Sequence, residues 1–305
     1  MMGCSLAAIV LTKNEELRLP ACLESLAGIA SEVFVIDSLS TDRTVEIAQQ
    51  CGARVLLHPF VNQANQFNWA LANIDTNAGW ILRIDADERL SQELRRELAE
   101  RLPSLEPEVA GLMLPLRINF LGRTMRRGDS YPVWLLRVWR TGLGRYEDAW
   151  MDERIVLARG EVLKFHGDLI HEIPNTLSQW TLKHDGYAAR ECLDIISEGA
   201  GPQPQLSRKL NKRLYLRLPP FYRACFYWFY RYFFRLGFLD GKEGMIYHFL
   251  QGFWYRFLVD AKLFELEKGG DRKVAAAAVE TADAPPGNEE ATVPFREAGG
   301  KHVSG

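Results

Sequence analysis

The chain has 305 residues, of which 47% are hydrophobic and 25% charged, and a formal net charge of -2. This fits one large α/β domain with an appendage, and the near-neutral charge gives no global attraction to nucleic acid, so none is expected as a partner. The cysteines (Cys4, Cys22, Cys51, Cys192 and Cys225) are scattered without CxxC spacing, which speaks against a disulfide framework or structural zinc and fits a reducing cytoplasm.

Met1 to Thr12 has no basic leader and no long apolar stretch, so no signal peptide is expected. Its continuous run Leu6-Ala7-Ala8-Ile9-Val10-Leu11 predicts a buried parallel strand. Asn14 to Leu26 has helical spacing, with Leu19, Leu23 and Leu26 on one side. Val33-Phe34-Val35-Ile36 predicts a second strand, followed by a helix capped by Ser40 or Thr41 and ending before Gly52. Arg54 to Leu57 predicts a third strand and Gln63 to Asn73 a third helix. Trp80-Ile81-Leu82-Arg83-Ile84 predicts a fourth strand, and Ser91 caps a fourth helix ending before Pro103. This alternation predicts a mostly parallel sheet with helices on both faces. Ligands of such sheets bind beyond the carboxyl ends of the strands. Polar residues stand at those ends here: Thr12-Lys13-Asn14-Glu15, Asp37-Ser38 and Asp85-Ala86-Asp87.

From Gly111 the pattern changes. Gly111 to Ile118 and Trp134 to Arg140 read as strands joined by a loop carrying Arg123, Arg126 and Arg127. That loop either binds an acidic or phosphate-bearing ligand, or is simply solvated. Asn175 to Ile196 reads as a helix. Gln205 to Arg235 carries eight Arg or Lys residues, no acid and many aromatics. Residues 1–204 are read as the catalytic domain, 205–268 as a basic, aromatic helical extension and 269–305 as a disordered tail.

Two carboxylates one residue apart at a strand end suit a hard divalent cation, which takes a few oxygen ligands and leaves positions for phosphate. The competing reading is an acidic turn before a helix. Glu88 is read as support for that helix. Asp37 suits a nucleoside hydrogen bond or an Asx-turn.

The blocks Leu11-Thr12-Lys13-Asn14-Glu15-Glu16, Val35-Ile36-Asp37-Ser38-Leu39-Ser40-Thr41-Asp42-Arg43-Thr44, Asn65-Gln66-Phe67-Asn68-Trp69-Ala70 and Ile84-Asp85-Ala86-Asp87-Glu88 together resemble the family 2 glycosyltransferases. The resemblance covers roughly residues 5 to 103. It implies a GT-A-type, Rossmann-like α/β fold, a nucleotide diphospho-sugar donor such as a UDP-sugar, and transfer with inversion. It also implies nucleoside contacts from Thr12, Asn14, Glu15 and Asp37, with Asp85 near ribose and metal and Asp87 on a Mg²⁺ or Mn²⁺ ion. Inversion needs a general base, for which Glu153 is preferred over Asp152 in Trp150-Met151-Asp152-Glu153-Arg154. Leu136-Arg137-Val138-Trp139-Arg140 resembles the strand that precedes the family's base. Of His166, His171 and His184, His171 is the choice for a further metal ligand. The alternatives are a sugar-phosphate nucleotidyltransferase, which the glycine-free loop after strand one disfavours, and a non-catalytic scaffold.

Phe221 to Leu239 is nearly long enough to cross a bilayer but contains Arg223, Arg231 and Arg235, each costly near the membrane centre. Met245 to Leu266 is interrupted by charges as well. An arginine-bearing side with an aromatic remainder suits the membrane interface. Leu236-Gly237-Phe238-Leu239-Asp240-Gly241 and Ala261-Lys262-Leu263-Phe264-Glu265 resemble the C-terminal part of bacterial lipopolysaccharide-core and other envelope-glycan transferases. That implies a lipid-linked or glycan acceptor, an anionic membrane surface as partner, and a peripheral position on the inner face of the cytoplasmic membrane.

Overall fold

The computed structural model describes residues 5–147, 155–173, 176–198, 215 and 217–269. In the first half, strands β1 (Leu6–Thr12), β2 (Glu32–Asp37), β3 (Arg54–Leu57) and β4 (Trp80–Asp85) alternate with helices α1 (Leu19–Leu26), α2 (Thr44–Gln50) and α3 (Gln63–Asn73). A three-residue strand, β5 (Glu88–Leu90), then precedes α4 (Gln92–Arg101). The second half adds β6 (Val109–Phe120), β7 (Arg123–Thr124), β8 (Val133–Arg140), β9 (Gly144–Tyr146), β10 (Ile155–Leu157), β11 (Glu161–Lys164), β12 (Leu169–Glu172) and α5 (Leu177–Glu198). The main sheet runs β3-β2-β1-β4-β8-β6-β12-β5, with β7 and β11 also paired to β6.

The four-strand start is parallel, as expected. Beyond β4 the sheet is mixed, because β8 runs antiparallel to both β4 and β6 while β12 runs parallel to β6. Part of the reversal is local in origin: β6 turns back through the two-residue strand β7 and the basic loop into β8, without the crossover element that a parallel pair uses.

Alternation along β1 feeds two cores, as the two-residue period requires. Leu6, Ala8 and Val10 pack with Leu19, Cys22 and Leu26 of α1 and Leu94 and Leu98 of α4. Ala7 and Ile9 face the other way, onto Ala64, Phe67 and Ala70 of α3. The sheet therefore has helices on both faces.

Ser91 caps α4 as expected, its hydroxyl accepting from the Leu94 amide at 3.1 Å. Ser40 and Thr41 do not cap α2. That helix starts at Thr44, whose amide and hydroxyl both donate to Asp42 (3.0 and 2.5 Å). Ser40 and Thr41 bond to Asp37 and Asn14 instead. The first helix starts later than its spacing predicts, at Leu19, because residues 13–18 are taken up in a loop held against residues 40–44.

The C-terminal segment is helical over Tyr222–Phe229, continues as a wider π-helical turn through Phe234, breaks at Leu236 and resumes over Gly241–His248 and Tyr255–Gly269. No helix of the described residues is long and apolar enough to cross a membrane. The segment is docked on the sheet domain: Tyr247 packs with Phe120 and Trp180, and Tyr255 and Val259 pack with Ala188 and Cys192 of α5.

The arginines of this segment are not where the sequence pattern places them. Arg223 is buried and forks onto Asp260. Arg231 is buried too, donating to the Gly128 carbonyl at 2.5 Å and the Ser130 hydroxyl at 2.9 Å. Arg235 pairs with Asp129. A lone helix treated as amphipathic puts charge toward water. Here acceptors from neighbouring elements meet the guanidinium groups, so the charged side turns inward. The loop with Arg126 and Arg127 belongs to the same docking, since both backbone amides donate to Asp240.

Candidate active site

The polar strand ends meet because the first strands are in register. Thr12 lies opposite Asp37 across the β1–β2 pair, and Leu11 lies opposite Asp85 across β1–β4. Thr12, Asp37 and Asp85 therefore stand side by side at the carboxyl edge of the sheet, where open α/β sheets place their ligands.

Asp37 is fully buried. Its carboxylate accepts from the Thr12 hydroxyl at 2.9 Å, the Ser40 amide at 2.8 Å and the Ser40 hydroxyl at 2.5 Å. Asn14 has a left-handed backbone, φ 54°, a conformation asparagine tolerates better than most residues. Its side chain accepts from the Thr41 amide and its own amide donates to Ser40. The Glu15 amide donates to the Thr44 hydroxyl, and the Glu15 carboxylate accepts from Arg18 at 2.7 Å. Burial and the nearby charge of Asp87 push the Glu15 carboxyl up, against Arg18. These residues thus fasten the β1–α1 loop to the β2–α2 loop and form one wall of the crevice.

Asp85 and Asp87 do different work. The Asp85 carboxylate accepts from Arg83 at 3.1 Å and lies 3.6 Å from Arg137. Burial opposes its ionisation, but these guanidinium groups hold its pKa below the usual carboxylate value. Arg137 also bonds Glu88 at 2.6 Å, and Glu88 in turn accepts from the Asp85 amide at 3.0 Å. Glu88 therefore begins a strand and ties β8 to the turn, rather than supporting the helix that follows. Arg83 completes the network through the hydroxyl of Tyr146.

Asp87 faces the opposite partners. Strand β5 pairs antiparallel with β12, setting His171 opposite Glu88 and beside Asp87. His171 Nδ1 lies 3.4 Å from one Asp87 oxygen, and Lys183 Nζ of α5 lies 3.3 Å from the other. Burial opposes ionisation of Asp87, yet His171 and Lys183 hold its pKa well below the usual value.

Residues 7–153 match the sequence pattern of the family described as "Glycosyl transferase family 2". The chain carries a family 2 glycosyltransferase domain. The site built on Thr12, Asp37, Asp85 and Asp87 lies within it, and the α/β architecture is of the GT-A type. An uncharacterized glycosyltransferase of Rickettsia bellii is 28% identical over 276 residues, covering 86% of each chain. The lipopolysaccharide core biosynthesis glycosyltransferase LpsC of Rhizobium meliloti is 29% identical over 267 residues, covering 85% of this chain and 92% of its own. Among solved structures, glucosyl-3-phosphoglycerate synthase from Mycobacterium tuberculosis, in complex with Mn²⁺, UDP and its glucosylated product, aligns at a TM-score of 0.30 and 21% identity. That alignment covers 38% of this chain and 44% of that one, too slight a likeness to place any residue.

The crevice brings together two side chains of the kind that bind divalent cations, Asp87 and His171. Ligands at right angles on an octahedral ion, at roughly 2.1 Å each, stand about 3 Å apart. The 3.4 Å between Asp87 and His171 is close to that. The described residues contain no cluster of three or more His, Cys, Asp or Glu able to hold a metal, so an ion on Asp87 and His171 would draw further ligands from phosphate and water. Asp85 stands with the arginines and not with this pair.

The other histidines sit elsewhere. His184 stacks on Trp180, and burial pushes its pKa down to about 4. His166 is exposed, its amide bonded to Glu97. Asp152 and Glu153 lie outside the described residues. The Gln63 to Gln66 segment serves the fold: the Gln66 amide bonds Ser38, and His58 lies 2.7 Å from its carbonyl oxygen.

Sequence reasoning passed over Arg83, Arg137 and Lys183. The first two carried a signal, since an arginine inside an apolar strand has to find a buried partner. Lys183 carried none, being one of several polar residues on an amphipathic helix.

The ion pair of His171 has a pH consequence. Burial lowers the imidazole pKa, but Asp87 outweighs it and raises the pKa above 6.5. A raised pKa gives stability that is fully present below the unfolded value and fades as pH rises through the folded one. In metal-free protein, the melting-temperature advantage of wild type over His171→Gln should be largest below about pH 6.5 and shrink at higher pH. Melting curves from pH 5.5 to 8.5 in chelator test this; a difference that grows with pH would reverse the assignment.

Proposed function

We propose that the protein is an inverting, metal-assisted glycosyltransferase that moves a sugar from a nucleotide diphospho-sugar, a UDP-sugar first among candidates, to a lipid-linked or envelope-glycan acceptor. The observation that carries this reading is the side-by-side placement of Thr12, Asp37 and Asp85 at one sheet edge, with Asp87 and His171 against it. The name of LpsC, a lipopolysaccharide-core transferase, supports the acceptor class.

In this reading the nucleoside lies against the wall made by Thr12, Asn14, Glu15 and Asp37. Because Asp37 is already fully bonded to Thr12 and Ser40, it shapes that wall at least as much as it touches the ligand. Asp87 and His171 would hold a Mg²⁺ or Mn²⁺ ion, which supplies positive charge to the diphosphate. Lys183, beside Asp87, adds a fixed cation on the same side. Arg83 and Arg137 keep Asp85 ionised and oriented toward the ribose. Glu153, with Asp152 as the alternative, takes the proton from the acceptor hydroxyl as its oxygen bonds the anomeric carbon. The bond to the diphosphate breaks on the opposite face, and its electron pair leaves with the nucleotide.

The test is a screen of purified protein with nucleotide sugars, Mg²⁺ or Mn²⁺ and lipid-extracted envelope glycan, reading nucleoside diphosphate release. Glu153→Gln is expected to cut turnover about 10²–10⁴-fold while leaving donor binding intact. Unchanged turnover in both Glu153→Gln and Asp152→Asn would remove the base from this segment. Pyrophosphate release from a nucleoside triphosphate would replace the reading with nucleotidyl transfer.

A further inference from the structure

The helical segment from Tyr222 to Phe234 is inside out for a protein surrounded by water. Its exposed residues include Tyr222, Phe226, Phe229, Tyr230, Phe233 and Phe234, with exposures from 44% to 69%. They recur at helical spacing and form one continuous aromatic stripe. The buried residues of the same stretch are Arg223, Ala224 and Arg231. Amphipathic helices of water-soluble domains have the reverse arrangement. The stripe continues onto the next segments through Phe238, Met245 and Phe249, which are also exposed. So large an apolar surface marks an interaction face.

The surrounding charge indicates what covers it. Arg217, Lys242 and Arg235, the last paired with Asp129, are exposed around the stripe. Among the described residues from 217 to 249 the acids are Asp240, which is buried, and Glu243, which faces Arg123 at 3.6 Å. Residues 205–214 add four further basic side chains in the sequence and no acid. A second copy docked about a two-fold axis would bring this basic rim against its own image and pay for the repulsion. An anionic bilayer complements the rim and takes the aromatics into its interface, where such side chains favour the headgroup level.

We propose that the exposed aromatic face of residues 222–249 lies in the interfacial layer of an anionic phospholipid bilayer, with Arg223 and Arg231 serving as internal struts and not as lipid contacts. The proposal is independent of the chemistry assigned to the active site.

Two measurements test it on the full chain. In the first, tryptophan fluorescence of wild type and of Trp228→Phe is recorded with vesicles of phosphatidylglycerol and phosphatidylcholine, with and without brominated acyl chains, the difference between the two proteins giving the Trp228 signal. Trp228 sits half-buried beside the stripe, so quenching of that difference signal by the brominated lipid is expected and its absence overturns the proposal. In the second, Phe226→Ser/Phe233→Ser is expected to weaken vesicle flotation roughly thirtyfold, since each phenylalanine loses part of its transfer energy. Flotation unchanged in the variant overturns the proposal. So does a wild-type dimer, seen by sedimentation without lipid, that the same substitutions dissociate, because the face would then belong to a second copy.

Discussion

Replacing Asp87 by asparagine is expected to lower sugar transfer by on the order of 10³-fold, the scale of losing one preorganised charge contact to a leaving group. Asparagine keeps the size of the side chain but removes the charge that holds His171 at 3.4 Å and Lys183 at 3.3 Å. Two effects then combine. A divalent ion loses its hard oxygen donor, and Lys183 is released from the position where it would meet phosphate. The measurement is nucleoside diphosphate release against Mn²⁺ concentration, together with the thermal shift produced by UDP with Mn²⁺. Both should fail in Asp87→Asn, while Asp85→Asn should disturb chiefly the arginine network. A variant that keeps wild-type turnover and metal dependence would refute the division of labour between the two aspartates.

The second large effect is on stability and lies far from the chemistry. Asp260 and Arg223 have side chains 1% and 5% exposed and form a forked pair, and Asp260 also accepts from the Phe221 amide at 2.7 Å. Asp260→Ala removes the counter-charge of a buried guanidinium and the acceptor of the Phe221 amide, and the expected cost is about 3–5 kcal/mol. Replacing both partners by apolar residues, as in Arg223→Met/Asp260→Leu, should recover much of the loss, because desolvation of two charges is avoided. Urea unfolding of wild type, Asp260→Ala and Arg223→Met/Asp260→Leu gives the result. An Asp260→Ala variant as stable as wild type would mean that Arg223 finds water or lipid instead.

That pair also explains where reading the sequence succeeds and where it fails. The strands and helices up to Arg101 follow from local pattern: apolar runs, a Ser91 cap and glycine stops. Their polar ends are visible in the chain because a parallel strand ends where its apolar run ends. The exceptions are strand β5, the absence of a Ser40 or Thr41 cap on α2, and the stretch from Asn14 to Arg18, whose helical spacing loses to long-range bonds with Ser40, Asp42 and Thr44. Nothing local announces those partners.

Asp85-Ala86-Asp87 was legible as an acidic strand end, and the family resemblance set Asp85 nearer the ribose and Asp87 on the metal, but the neighbours of each carboxylate were not legible. The sheet separates them. β8 runs antiparallel beside β4, bringing Arg137 to Asp85, while β12 pairs with β5, bringing His171 to Asp87. Lys183 arrives from α5, nearly a hundred residues further on. Each contact depends on strand order in the mixed half of the sheet, which periodicity does not encode.

In the C-terminal segment the composition alone determined that arginines and aromatics share a helix. Which side each would face was decided only in three dimensions, by Asp260, Gly128 and Ser130 on neighbouring elements. A buried charge goes where its partner is, and that partner is set by tertiary packing. The sequence by itself determined the α/β order, the strand ends and their acids. The tertiary structure decided that Asp87, and not Asp85, meets the imidazole and the lysine, and that the aromatic side of the last helices faces out.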